Sequence, residues 1–353
     1  MTFGILGNGS WGTALAKILT HNKNTINWWF RSEAAVQHLL TRHQNQQYLS
    51  QVNFNTDFIR PTTSREQVIE QSDCIIVAVP SAYADAALEG LPANIFEGKQ
   101  VLSAIKGILP AHNLLLNELL KKNFNVPLEN YFAVMGPCHA EEVAAEKLSY
   151  LTFSGVDETA TQTIASAFDT PFISTIVNQD IYGVQFAAIL KNIYAVGAGM
   201  AHGLDYGDNF LSVLIANSAD EMAGFLRKAG IVNAEVGYID HVQRKQGSKE
   251  PAIHDKAHTN YAASVYLGDL LVTCYSLHSR NRSFGNMIGK GYTVKAAQLE
   301  MRMVAEGYNA SRCMYLLNQS IQAHMPIAET VYKVLWEGLP AKQGFKLIEG
   351  ALV

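Results

Sequence analysis

"GILGNGSWGTALAKIL", residues 4–19, runs from a short apolar segment through three glycines into an apolar stretch with helical spacing. Gly7-Asn8-Gly9-Ser10-Trp11-Gly12 is a G-x-G-x-x-G set between an expected strand at 3–6 and an expected helix at 10–20. In that pattern the first glycine makes a tight turn and the second lets a pyrophosphate approach the backbone. The third lets helix and strand pack closely. Free N–H groups at the helix start, with the helix dipole, attract the phosphates. Gly7, Gly9 and Gly12 therefore read as a dinucleotide-binding turn. The competing reading is a glycine turn in some other α/β fold.

Strand-like runs follow at 25–30 ("TINWWF"), 74–80 ("CIIVAVP"), 100–107 ("QVLSAIKG") and 131–137 ("YFAVMGP"). Helix-like segments such as "EAAVQHLLTRH", "AYADAALEGL" and "NLLLNELLKK" separate them. Continuous apolar strands alternating with helices imply a mainly parallel sheet covered on both faces. From about Tyr182 the pattern becomes helix after helix, which places a boundary near 178–182. The expected organisation is an α/β Rossmann-like domain over 1–180 and an all-α domain over 181–353. A polar stretch, 240–260, interrupts the helical half and reads as an exposed excursion.

The 353 residues carry a formal net charge of −4, so no basic excess points to nucleic acid. Cys74, Cys138, Cys274 and Cys313 are scattered without zinc-type spacing, so no metal site is expected and reduced thiols are. A strand begins within a few residues of the start, which argues against a signal peptide and for a cytoplasmic protein. "IYGVQFAAILKNIYAVGAGMA", 181–201, is long enough to span a bilayer, but Lys191 sits at its centre. A central lysine costs about 2.5–3.5 kcal/mol on insertion scales, so the segment reads as a buried helix.

Lysine is seldom buried without a partner or a purpose. Around Lys191 stand Ala187, Ala188, Ala195 and Ala198, with Phe186, Leu190 and Ile193 on the opposite stripe of a helix at 182–199. The small residues are expected to leave room for a ligand. Desolvation lowers such an amine's pKa and suits it to proton transfer. A lysine that snorkels or simply pairs with a carboxylate is the alternative. Asp269, in "LGDLLVTC", is an isolated charge beside an apolar run and a candidate partner. Ser279, Arg280 and Asn281 suit a phosphate oxyanion. Lys106 and Gly136 end strand-like runs, at the sheet edge where open α/β folds bind ligands. Arg31 ends the second strand where NAD-selective sites carry an acid, which favours the 2′-phosphate of NADP.

The segments "GNGSWGTALA", "VAVPS", "IKG", "GPCHAEEVA", "GVQFAAILKNIYAVGAGM", "LGDLLVTC", "SRNRSFG" and "AEGY" occur in an order that resembles the NAD(P)-dependent glycerol-3-phosphate dehydrogenases, the bacterial type above all. The resemblance runs over nearly the whole chain. It implies a Rossmann domain and a helical domain like the C-terminal part of 6-phosphogluconate dehydrogenase. It implies reversible reduction of dihydroxyacetone phosphate to sn-glycerol 3-phosphate with NADP or NAD, in the service of glycerophospholipid synthesis, and it allows a homodimer. Catalytic roles fall on Lys191, the proton donor and acceptor, and on Asp269 and Lys106. Substrate contacts fall on Lys106, Gly136, Asn192, Ser279, Arg280 and Asn281. Cofactor contacts fall on Gly7, Gly9, Ser10, Trp11, Gly12, Arg31, Lys106, Ala140, Arg280, Val304 and Glu306.

Cys138 replaces the threonine of the family's "GPT", Tyr266 stands where a small residue is usual, and Asn217-Ser218 replace a Thr-Arg-Gly. These departures put the pocket's shape in question. Two other readings compete. One is a two-domain NAD(P)-dependent dehydrogenase for a hydroxy acid or hydroxyacyl thioester. The other is a non-catalytic NAD(P)H-sensing module.

Overall fold

Phe3–Leu6 (β1) is buried at every residue and pairs in parallel with a strand on each side, so it lies inside a sheet. The computed structural model describes residues 1–231, 262–301 and 304–352; the 240–260 excursion lies outside them. The later strands are β2 (Ile26–Trp29), β3 (Ile59–Thr62), β4 (Cys74–Val77), β5 (Gln100–Ser103), β6 (Tyr131–Met135), β7 (Ser149–Ser154) and β8 (Ile173–Asn178). Between them run α1 (Ser10–His21), α2 (Glu33–Arg42), α3 (Arg65–Glu70), α4 (Ala84–Leu88), α5 (Leu116–Phe124), α6 (Ala140–Ala144) and α7 (Glu158–Ser166). The sheet order is β3-β2-β1-β4-β5-β6-β7-β8, parallel except for the β6–β7 pair. Strand order reverses at the β1–β4 pair, the switch point where doubly wound sheets open a crevice at their carboxyl ends.

Three strands follow sequence patterns that no simple rule singles out. β3 is an edge strand with a proline at position 61 and only Ile59 buried. β8 lies at the other edge and is half-buried through its middle. β7 carries Ser149, Thr152 and Ser154 among its buried positions and runs against its neighbour. Three expected strands also end early, at Val77, Ser103 and Met135. The residues beyond, 78–80, 104–107 and 136–137, form the turns that rim the crevice.

After Asn178 the described residues contain helices only: α8 (Ile181–Gly203), α9 (Asp208–Lys228), a π-helical turn (Ala262–Gly268), α10 (Asp269–Tyr275), α11 (Arg280–Gly289), α12 (Val294–Glu300), α13 (Glu306–Ile321), α14 (Pro326–Trp336) and α15 (Ala341–Ala351). Asp180 caps α8, accepting the Gly183 N–H at 2.8 Å. Alone among the described helices, α8 is long and apolar enough to cross a membrane, and here it is the axis of the helical core. Its alanines pack in that core and do not open a ligand space as expected. Gly199 and Gly285 let α8 and α11 approach backbone to backbone: a Cβ on Gly285 would collide with the Val196 carbonyl, and one on Gly199 with that of Arg282.

Candidate active site

A cleft of about 570 Å³ opens at the carboxyl ends of β1, β4, β5 and β6, and α8, α10, α11 and the start of α13 close its far wall. The three motif glycines divide by cause. Gly7 has φ +124°, a region that side chains rarely enter. A Cβ on Gly12 would collide with the Gly7 carbonyl oxygen. Gly9 differs: its φ of −71° suits any residue, and a Cβ there would meet nothing within 4 Å. No feature of the protein's own packing calls for glycine at 9, whereas a pyrophosphate lying on the turn does. Gly9 also begins α1 with no side-chain cap, so the first N–H groups of the helix are left for a ligand. Asn45 Nδ2 holds the loop by donating to Asn8 O and Thr13 Oγ1, each at 2.8 Å. Trp11 Nε1 is buried and has no partner among the described residues. Arg31 lies 5.3 Å from the Tyr83 ring at the rim, beside the N-cap of α2. These residues fit a nicotinamide dinucleotide: an open glycine, free helix N–H groups and a guanidinium at the end of β2.

Lys191 and Asp269 meet across the helical wall. Nζ stands 2.5 Å from Oδ1, and the two residues are 4% and 1% exposed. Thr273 Oγ1 donates to the Asp269 carbonyl at 2.6 Å, fixing the first turn of α10. Asp269 Oδ2 is buried and has no partner among the described residues. Burial lowers the Lys191 ammonium to about 8; Asp269 opposes that fall and Lys106 adds to it. The amine is therefore charged at neutral pH yet close to releasing its proton.

Lys106 follows β5. Its Nζ donates to the Gly136 carbonyl at 3.3 Å and stands 5.2 Å from the Trp11 ring centroid. Its own carbonyl accepts from Asn192 Nδ2 at 2.8 Å. Asn281 Nδ2 donates to Asn192 Oδ1 at 2.8 Å, and the Gly307 N–H donates to Asn281 Oδ1 at 2.9 Å. This amide chain ties the sheet edge to α8, α11 and α13. Glu306 accepts from the Ser81 N–H at 2.9 Å and from its hydroxyl at 2.5 Å, clasping the turn after β4 to α13. Ser279 caps α11, accepting the Arg282 N–H at 3.3 Å and leaving its own O–H to donate. Arg280, the first residue of α11, faces the cleft.

Every residue expected from the sequence to serve catalysis, substrate or cofactor lines this cleft except Gly12 and Gly136. Gly12 serves packing. Gly136 has φ +125°, a Cβ there would collide with the Tyr150 carbonyl oxygen, and its own oxygen accepts from Lys106. Cys138 lines the cleft; burial pushes its thiol up, and it donates to Gly136 O at 3.2 Å. Tyr266 and Asn217-Ser218 do not line the cleft, so those two departures leave the pocket's surface untouched. Sequence reading missed Ser81 as the partner of Glu306, along with Thr273, His139 and His278. Ser81 stands 225 residues from Glu306, and no local pattern announces such a pair.

The family model for the NAD-dependent glycerol-3-phosphate dehydrogenase N-terminus matches residues 2–161, and that for the C-terminus matches 180–346. Glycerol-3-phosphate dehydrogenase [NAD(P)+] of Chlorobium chlorochromatii is 32% identical over 345 residues, covering 97% of this chain and 96% of the relative. The Bacillus pumilus protein of the same name is 33% identical over 337 residues, covering 95% and 90%. The crystal structure of glycerol-3-phosphate dehydrogenase from Coxiella burnetii superposes with a TM-score of 0.81 at 24% identity, over 98% of each chain.

Proposed function

Because the chain belongs to the NAD-dependent glycerol-3-phosphate dehydrogenase family, we propose that residues 1–180 hold the dinucleotide and that 181–353 supply the substrate site and the acid. The reaction is the reversible reduction of dihydroxyacetone phosphate to sn-glycerol 3-phosphate, with NAD or NADP as cofactor. When bound, the reduced nicotinamide supplies the hydride.

The carbonyl oxygen gains negative charge as its carbon is reduced. Lys191 stabilises that oxygen and then transfers a proton to it from Nζ. One hydride and one proton complete the alcohol, and the neutral amine regains its proton from solvent. The geometry supports two roles for Asp269: Oδ1 aims the amine, while Oδ2, with no partner among the described residues, accepts a substrate hydroxyl. Arg280 and the Ser279 hydroxyl take the substrate phosphate, with Lys106 between phosphate and cofactor. Asn192 and Asn281 hold Lys106 in register through the amide chain, and each NH₂ keeps one hydrogen for substrate. Arg31 takes the 2′-phosphate, favouring NADPH. We extend the proposal to a cytosolic, homodimeric enzyme that supplies glycerophospholipid synthesis.

The observation that carries this reading is the buried Lys191–Asp269 pair opening into the cleft that holds the glycine turn. Purified protein is assayed for NADPH and NADH oxidation with dihydroxyacetone phosphate, 2-keto acids and 3-oxoacyl thioesters. Turnover is expected with the first. Turnover with another carbonyl compound and none with dihydroxyacetone phosphate overturns the reading. The hydroxy-acid, hydroxyacyl and sensing alternatives are not favoured, since both family models match.

A further inference from the structure

α8 is fastened at two points to the segment that carries Asp269. One is the Lys191–Asp269 pair. The other is at the helix start, where Asp180 Oδ1 accepts the Gly183 N–H and Oδ2 accepts a short hydrogen bond from the Tyr266 hydroxyl. Eleven residues separate Asp180 from Lys191. That is close to three helical turns, so both lie on one face, about 16 Å apart along the axis. Tyr266 and Asp269 are three residues apart on the facing segment.

Tyr266 lies in the π-helical turn Ala262–Gly268, which runs directly into α10. Such turns are rare and are frequently found at functional sites. Gly183 makes room for the phenol, since a Cβ there would stand 2.5 Å from the hydroxyl oxygen. Tyr266 is 2% exposed, and burial with the Asp180 charge pushes its hydroxyl far above the ordinary range, so it stays a donor. Ser264, on the same turn, stands 3.3 Å from Thr152 of β7.

We propose that Tyr266 is a positioning residue for the reaction: by bonding Asp180 it fixes the rotation of the π-helical turn against α8 and keeps Asp269 on the reacting amine. The brace matters when Lys191 has given up its proton. The pair then loses its charge attraction, and the second attachment holds Asp269 in place until the amine is charged again. The ionisable groups around Lys191 are Asp269 and Cys274 from α10, Lys106 from the turn after β5, and Cys138 and His139 from the turn after β6. Of these, Asp269 is the charged group that the brace controls.

The inference rests on Lys191 being the acid. Its test compares wild type with Tyr266→Phe, Asp180→Ser and the double variant in steady-state reduction of dihydroxyacetone phosphate across pH, with thermal melting alongside. Serine keeps the helix cap but is too short to reach Tyr266. Each single variant is expected to lose about tenfold in kcat with KM within about twofold, as expected for a small misplacement of the reacting group. The basic limb of the kcat profile moves to lower pH, and the double variant is no worse than either single one. A limb that stays at its wild-type position in both single variants, whatever their melting temperatures, overturns the brace. Absence of wild-type turnover rejects the assignment of the reaction instead.

Discussion

The two walls of the cleft are made of different material. The sheet-side wall offers a ligand mainly backbone: an open glycine, the N–H groups of α1, and a Lys106 steadied by a carbonyl and a tryptophan ring. The helical wall offers side chains that hold one another, Lys191 by Asp269, Asn192 by Asn281, and Glu306 by Ser81 across the cleft. A backbone site is set by local conformation and should tolerate loss of one side chain. A side-chain network concentrates the chemistry at one amine and should fail there. The largest expected effect tests that contrast. Lys191→Arg keeps the positive charge beside Asp269 but cannot release a proton near neutral pH. Its kcat is expected to fall by about 10³-fold, within the range for loss of a general acid. The dissociation constant for NADPH, followed by fluorescence titration, should change less than about threefold. A variant that retains turnover returns the helical wall to a structural role.

The sheet-side wall can be broken without touching the chemistry. Gly9→Ala adds a methyl where the protein has nothing to collide with, so melting should be unchanged while NADPH affinity falls by about 10–100-fold, roughly 1.4–2.7 kcal/mol. Gly12→Ala is the control, because its methyl meets the Gly7 carbonyl. It is expected to lose about 1–3 kcal/mol of stability, measured by denaturant unfolding. If Gly9→Ala bound NADPH as wild type does, the ligand would not lie over the turn.

A smaller effect reports on the amine's surroundings. With Lys191 as the proposed acid, kcat/KM for reduction, which follows the ligand-free protein, should be level below its pKa of about 8 and fall as pH rises through it, by about tenfold one unit above. Asp269 holds that pKa up against burial. Asp269→Asn therefore moves the falling limb to lower pH. A limb that moves to higher pH would mean that Asp269 acts on some group other than this lysine.

The same division explains what could be read from the chain. The glycine turn was legible because its three constraints fall within six residues of one another and each restricts residue type. Lys191 was legible because a charge in an apolar helix is costly wherever the helix lies. Its surroundings were not: the alanines suggested a ligand space, but the space lies on one side only and the small residues of α8 are spent on helix packing. Tyr266 looked like an intrusion into the pocket, and its hydroxyl instead bonds Asp180 outside it. The amide chain and the Ser81–Glu306 clasp link residues 26 to 225 positions apart, and periodicity carries no information over such separations. β3 and β8 were hidden because edge strands bury too little to show an apolar run.

Arg31 lies where the two principles meet, since it is a side chain serving the backbone wall. It is exposed at the rim, with the Tyr83 ring as its neighbour. An exposed guanidinium bonding a phosphate dianion is screened by water and salt, so its contribution is smaller than that of the buried amine. Arg31→Glu reverses the charge and restores the acid that pairs with a ribose 2′-hydroxyl. The ratio of kcat/KM for NADPH to that for NADH is expected to fall by about tenfold, about 1.4 kcal/mol, with the change concentrated in KM. Raising ionic strength should narrow the gap between wild type and variant, because the interaction lies at the surface. An unchanged ratio would place the 2′-phosphate elsewhere, with Arg31 left to stack on Tyr83, and the sheet-side wall would then recognise its ligand by backbone alone.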